Sequence, residues 1–165
     1  MLSSNDAEAI LQSLIGQKLV RVVRSHGIVE IGFRDTSDQS EAKNHGRHKL
    51  SMVFHLSGSF RISAADKIIT GSKDLFVSPT DEPVDWEKPN TCVFDGVVRD
   101  FGTRYDSEYV RKATMNSFGD VRIELTTLEI CIFVIGSTDI ESWRFFITDK
   151  DSKHLVNENG KFELV

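Results

Sequence analysis

The sequence predicts a mainly β domain of the α+β class, either an antiparallel barrel or a two-sheet sandwich, with one N-terminal helix. After residue 16, apolar residues recur with a period close to two, which is typical of half-buried strands. Groups of Gly, Ser, Asn and Asp interrupt these runs where turns are expected. A clear helical period occurs only near the N-terminus. Since a meander of this length must close or stack to hide its edges, we expect the helix to plug an open end.

The N-terminal helix is predicted from Asn5 to Gly16. Asn5 is placed to cap the first turn, with Glu8 at capping-box spacing. Gly16 stands where a left-handed residue ends a helix. The apolar residues of one helical face are Ala7, Ile10, Leu11, Leu14 and Ile15. A helix of about ten residues is marginal alone, so it is expected to pack on the sheet.

Two β-hairpins are predicted in the first half of the chain. The first covers Leu19 to Phe33 with a turn at 25–27, and the second covers Lys49 to Ser63 with a turn at 57–58. The polar residues 34–48 between them predict a long exposed loop. Leu75–Val77 predicts a short further strand.

The second half of the chain resembles the first in outline. The matched segments are 25–31 with 117–123, 50–54 with 128–132, and 59–62 with 142–145. We therefore predict one domain, residues 1–165, built from two similar four-strand halves of about 16–78 and 91–165. The alternative is the self-similarity that β-rich chains often show. All three prolines lie in the connection between the halves, which is too short to separate two domains.

Composition excludes several classes of protein. The longest apolar run has six residues, Ile130 to Ile135, whereas a membrane helix needs roughly 20. The N-terminus has neither the basic nor the apolar region of a secretory signal. Cys92 and Cys131 lie in apolar, strand-like runs and predict free buried thiols. These features predict a cytoplasmic protein without a membrane partner.

Negative charge is concentrated in one part of the chain. The net charge is -5, and the segment 74–100 holds seven acids against Lys88 and Arg99, which equals the imbalance of the whole chain. Because nucleic-acid binding draws most of its affinity from basic side chains, the absence of a basic stripe argues against a nucleic-acid partner.

The sequence contains no recognisable catalytic or cofactor motif. His45 and His48 are three residues apart, with His55 nearby, but adjacent basic residues and a loop setting argue against a metal site. The chain has no nucleophile elbow and no glycine-rich phosphate loop. We predict that it is not an enzyme and needs no cofactor.

An acidic stretch around one tryptophan is the strongest candidate site. Acids on an exposed loop accelerate the association of a basic partner, and an aromatic residue among them provides an anchor. The alternative is a solvated connection with the tryptophan folded onto the core. The predicted partner-binding residues are Asp74, Asp81, Glu82, Asp85, Trp86, Glu87, Asp95 and Asp100.

Two segments of the second half resemble a group of small bacterial β-rich proteins. Phe118–Leu125 is similar to a strand with the pattern G-D-L-x-I-x-F, and Glu141–Phe145 to a strand with the pattern Y-E-x-W-x-L. The first half fits the same outline, so the resemblance covers most of the chain. Two departures are Ile140 in place of Tyr and the long 34–48 loop. Some members resemble immunity proteins of polymorphic or contact-dependent toxin systems, and the resemblance implies no catalytic residues.

These observations predict an immunity-type protein that neutralises a cognate toxin through its acidic loop. A small-ligand-binding barrel or sandwich of unknown ligand is the alternative, since eleven Phe and two Trp are enough to line a cavity. A third hypothesis is an enzyme that uses the loop carboxylates Asp85 and Glu87.

Overall fold

The computed structural model describes residues 1–37, 50–135, 140–148 and 153–165. The strands in these ranges are β1 (Lys18–Ser25), β2 (Ile28–Arg34), β3 (Met52–Leu56), β4 (Ser59–Ala64), β5 (Lys67–Gly71), β6 (Lys112–Met115), β7 (Val121–Glu124), β8 (Leu128–Phe133), β9 (Glu141–Ile147), β10 (Leu155–Glu158) and β11 (Lys161–Leu164). The helices are α1 (Ser4–Leu11), α2 (Val93–Val98) and α3 (Phe101–Arg104), with 3-10 helices at Gln12–Leu14 and Ser72–Phe76.

The strands form two antiparallel sheets, which confirms the mainly β prediction. The larger sheet has the order β1-β2-β3-β9-β10-β11, and the smaller sheet has the order β5-β4-β8-β7-β6. Each sheet keeps its own edge strands, so the sandwich alternative is correct and the barrel alternative is wrong. Buried side chains from both sheets and from α1 form one hydrophobic cluster.

Trp143 on β9 is a buried member of this cluster. Alternation in the sequence puts Trp143 and Phe145 on one face of the strand and Arg144 and Phe146 on the other, which predicts that Trp143 points inward. Its side chain is fully buried, and its ring packs against Phe54 at 5.8 Å and Phe162 at 6.4 Å between centroids. The indole Nε1 donates a hydrogen bond of 2.8 Å to the carbonyl of Gly119 in the β6–β7 turn. Trp143 therefore ties the larger sheet to a turn of the smaller one.

The predicted second hairpin is wrong. β3 pairs with β2 and β9, whereas β4 pairs with β5 and β8, so the chain crosses between sheets at Ser57 and Gly58. The amides of both residues donate to the carbonyl of Ser142 rather than closing a two-residue turn. A short Ser-Gly connection is compatible with either outcome, and long-range pairing decides between them.

The two sheets share one arrangement of strands. The larger sheet contains the run β1-β2-β3-β9-β10, and the smaller sheet contains the run β6-β7-β8-β4-β5. Strands at the same place in the two runs differ by five in their numbers, so that β1 corresponds to β6 and β9 to β4. Pairing places Phe54 opposite Ile31 and Ile130 opposite Ile123. Since Ile31 corresponds to Ile123 in the sequence comparison, this pairing makes Phe54 correspond to Ile130. The sequence comparison instead matches Phe54 with Ile132, two residues further along β8. Each sheet takes strands from both proposed halves.

Helix α1 covers the edge strand β6. Ser3, not Asn5, is the N-cap, with Asp6 completing the capping box. Glu8 instead accepts a 3.1 Å hydrogen bond from the amide of Met115, and Gln12 donates one of 2.7 Å to the carbonyl of Ala113. The helix thus hydrogen-bonds to strand groups that would otherwise template pairing with another chain.

Helical segments replace two predicted extended segments. The sequence predicts a strand at Leu75–Val77, but Ser72–Phe76 is a 3-10 helix, and Cys92 is the N-cap of α2 rather than part of a strand. Helices this short contain too few residues to show a period in the sequence. Every helix in the described part of the chain is too short or too polar to cross a membrane.

Replacement of Trp143 by alanine is expected to destabilise the fold by about 3–5 kcal/mol, because it removes a large fully buried ring and its hydrogen bond. Chemical denaturation measures the change. Trp86→Ala is the matched control and should cost clearly less, since Trp86 is only partly buried. Equal stability of Trp143→Ala and the wild type would contradict the central placement.

Candidate functional site

A pocket opens at the end of the sandwich where the β1–β2 turn and the β3–β4 crossing lie. We call it the end pocket; its volume is about 340 Å³. Val29, Leu56 and Leu75 are buried lining residues that form its floor. Its rim carries Phe76 and Ile140 and also Ile135 and Trp86, so four separate segments of the chain build its apolar opening.

The rim is unusually apolar for exposed surface. Phe76, Ile135 and Ile140 are 70%, 68% and 62% exposed. Isolated exposed apolar side chains are common and need no explanation, but a contiguous group around a concavity is typical of a binding surface. The end pocket is therefore the candidate site.

Trp86 belongs to a loop that begins and ends at this pocket. We call residues 77–92 the Trp86 loop. The Phe76 and Trp86 rings meet edge to face with 5.3 Å between centroids, so the chain returns to its starting point after residues 77–85. Trp86 packs against the core, as one of the two alternatives predicts, and its side chain also lines the pocket.

The buried guanidinium of Arg24 holds the Trp86 loop in place. From β1 it donates to the carbonyls of Trp86 at 3.1 Å and Lys88 at 2.7 Å, and its plane lies over the Trp86 ring at 5.5 Å. It also forms two hydrogen bonds, of 3.2 and 2.8 Å, with the Asp95 carboxylate on α2. One planar fork therefore joins β1, the loop and α2.

The Arg24–Asp95 pair is shielded from solvent, with side-chain exposures of 3% and 10%. Burial raises the pKa of Asp95. The hydrogen bonds from Arg24 and Cys92, the charge of Arg24 and the amide of Thr91 together lower it by more, so the pKa lies below its ordinary value. The hydrogen bonds to Asp95 raise the pKa of Arg24. Both groups thus remain charged at neutral pH.

Thr91 closes the base of the loop. Its hydroxyl donates to the carbonyl of Asp85 at 2.7 Å, and its amide donates to Asp95 at 3.2 Å. With Arg24, these bonds fix both sides of the 85–91 turn. An ordered loop loses less conformational entropy when it binds, so this network favours recognition.

The predicted acidic residues fall into two groups. Three are used inside the fold: Asp95 pairs with Arg24, Asp74 accepts from Thr70 and from the Gly71 amide, and Asp85 pairs with Lys88 at 3.2 Å. The amide of Glu87 and then Lys88 lower the pKa of Asp85. The segment's charge therefore overstates the negative potential available to a partner.

The other predicted acids remain on the surface. Asp81 and Glu82 are exposed, and their carboxylates have no hydrogen-bond or ion-pair partner in the described ranges. Glu87 lies 3.8 Å from His26, with both side chains mostly exposed, and Asp100 is exposed at the start of α3. Asp81 and Glu82 lie in the stretch 77–85, between Phe76 and Trp86, which both line the end pocket.

Sequence reasoning missed Arg24, Phe76, Ile135 and Ile140. Arg24 lies in a strand whose other charged residues are solvated, so its sequence neighbours give no sign of burial. Ile140 was noted only as a departure from the family pattern. For Phe76, Ile135 and Ile140, the signal available in the sequence was an apolar residue close to a short run of polar, Gly or Pro residues.

The cysteine and histidine predictions have different outcomes. Cys92 and Cys131 are free and buried, as predicted, and burial is the main cause that raises the pKa of each thiol. Cys92 does lie at a helix start, contrary to the sequence analysis. In the described ranges no three His, Cys, Asp or Glu side chains are grouped to hold a metal ion. His45 and His48 lie outside those ranges.

Comparison with protein-family models, with curated protein sequences and with solved structures finds no match for this chain.

Replacing Arg24 with methionine is expected to cost about 3 kcal/mol or more, because Asp95 is left as an unpaired buried charge. Arg24→Lys keeps the charge but lacks the planar fork, so it should lose less stability while still freeing the loop. Chemical denaturation measures the loss of stability, and hydrogen exchange of residues 85–91 measures the release of the loop. Unchanged exchange in both variants would contradict the role of Arg24.

The Arg24–Asp95 pair also predicts a pH dependence. Since folding lowers the pKa of Asp95, the ionised carboxylate stabilises the fold above its ordinary value of 3.8. This stabilisation is lost as the pH falls through the lower, folded-state pKa. The stability difference between wild type and Asp95→Asn should therefore be largest near neutral pH and shrink below about pH 4. A difference that stays constant down to pH 2.5 would refute this.

Proposed function

We propose that this chain is a binding protein of the immunity type, which neutralises a basic toxin domain by docking its Trp86 loop and end pocket on it. The observation that carries the proposal is an apolar pocket whose rim residues Phe76 and Trp86 are joined by residues 77–85, where the exposed carboxylates of Asp81 and Glu82 have no partner among the described residues. The resemblance to immunity proteins supplies the class of partner.

The physical features of the site favour protein recognition over chemistry. An interface gains affinity from a central apolar anchor and gains association rate from complementary charge at its rim. Trp86 and Phe76 supply the first, and the loop carboxylates supply the second. Arg24 restricts the loop before a partner arrives, which lowers the entropy lost on association.

Binding to the protein encoded by the adjacent gene tests the proposal. The double variant Asp81→Asn/Glu82→Gln should slow association by about 3- to 10-fold at low salt, with a smaller effect at high salt. Its stability should equal that of the wild type, because neither carboxylate has a partner within residues 1–37, 50–135, 140–148 and 153–165. Stopped-flow or surface-plasmon measurements at two salt concentrations give the rates.

The double variant Asp66→Asn/Glu163→Gln is the matched control, because it makes the same charge change at exposed positions away from the Trp86 loop. It should alter association much less. No binding of the adjacent gene product at micromolar concentration would count against the proposal, and equal effects of the two double variants would exclude the loop from the contact.

A small-ligand-binding protein is the second candidate, and the size of the end pocket favours it. Its volume of about 340 Å³ lies at the lower limit of the range typical of ligand sites. A thermal-shift screen with apolar ligands distinguishes the two, since a ligand present at about 100 times its Kd stabilises the fold by about 2.7 kcal/mol. Stabilisation that Ile140→Ala removes would favour this candidate.

A further inference from the structure

We propose that the end pocket binds one large apolar side chain, aromatic or long aliphatic, that the partner carries within a positively charged stretch of polypeptide. The inference rests on the proposed function and specifies which part of the partner enters this site. It follows from the shape of the pocket, the state of its polar groups and the charge beside it.

The shape of the pocket suits a single side chain. A floor of buried Val29, Leu56 and Leu75 lies below a rim of exposed Phe76, Ile135 and Ile140. The volume of about 340 Å³ lies at the lower limit of ligand sites and is ample for one large side chain. A group inserted here would remove apolar surface from water on both sides, which is the main source of anchor affinity.

Several polar groups lining the pocket are already engaged. Ser57 donates to the carbonyl of Glu141, and the hydroxyl of Ser72 accepts from the amide of Phe60 at 3.2 Å. The Glu141 carboxylate holds Arg144 through hydrogen bonds of 3.0 and 2.7 Å. A polar side chain that enters the pocket would lose its hydrogen bonds to water and gain few in return. An apolar side chain has no such hydrogen bonds to lose.

Charge beside the pocket identifies what surrounds the anchor. Residues 77–85 leave and rejoin the molecule at the Phe76–Trp86 contact, so the loop tip is within about 15 Å of the pocket rim. Asp81 and Glu82 are at this tip. The screening length is about 10 Å at 0.1 M salt and about 30 Å at 0.01 M, so at low salt these carboxylates attract lysine or arginine residues that flank the anchor. The occupant is therefore apolar at its centre and basic at its flanks.

Three acetylated, amidated pentapeptides test the inference on the intact protein. KKFKK combines the anchor with positive flanks, KKAKK removes the anchor, and EEFEE reverses the flanks. KKFKK should bind about tenfold more tightly than KKAKK, because it buries an aromatic ring. It should also bind more tightly than EEFEE, and this second difference should shrink at high salt.

The indole N–H signals in nitrogen-15 spectra provide the readout. Because Trp86 lines the pocket, its indole signal should shift on addition of KKFKK. The signal of the fully buried Trp143 should not change. Ile140→Ala should weaken KKFKK binding by about fivefold. Ile68→Ala is the matched control: Ile68 has the same 62% exposure but lies on β5 outside the end pocket, and its replacement should have no effect.

Each contrary result has a definite meaning. Equal binding of KKFKK and KKAKK, or no shift of Trp86 with any peptide, overturns the inference. Equal binding of KKFKK and EEFEE at low salt overturns the part of the inference that places basic residues beside the anchor, and it favours a neutral apolar ligand. If the adjacent gene product binds wild type and Ile140→Ala equally well, the end pocket is excluded from the contact, while binding of the toxin through the Trp86 loop stands. If that protein does not bind but KKFKK behaves as expected, the partner assignment alone fails.

Discussion

The buried guanidinium of Arg24 is the interaction on which the candidate site depends. An arginine with 3% of its side chain exposed must satisfy its donors inside the protein, and it does so with two carbonyls of the Trp86 loop and with Asp95. These partners lie more than sixty residues away in sequence. An otherwise irregular segment is thereby fixed against the sandwich, with Trp86 between the guanidinium and Phe76.

The sandwich supplies the frame for this site. Trp143 reaches from the larger sheet to Gly119 at a turn of the smaller one, and the chain passes between sheets at Ser57–Gly58. The crossing and the start of β9 meet at one end, where they form part of the pocket wall. The site thus draws rigid strand ends from both sheets and adds one restrained loop, an arrangement typical of binding proteins.

Electrostatics at the site differ from what a count of charges suggests. Segment 74–100 carries the net charge of the whole chain, yet Asp74, Asp85 and Asp95 serve local hydrogen bonds and ion pairs. Asp81 and Glu82 have no partner among the described residues, and in the proposed function they act through their place next to Trp86 in the chain more than through their number. A few carboxylates on an ordered loop next to an apolar rim provide both attraction at a distance and an anchor on contact.

The sequence by itself determined the mainly β class, the first hairpin, the inward face of Trp143 and the acidic bias around Trp86. These features follow from side-chain alternation and composition, which are local properties of the chain. Only the tertiary structure decided which sheet β3 and β4 join, which acids are neutralised and where Arg24 is buried. It also assembled the pocket, whose walls come from distant segments. The physical reason is that long-range strand pairing and burial depend on the packing of the whole chain, and no local pattern records them.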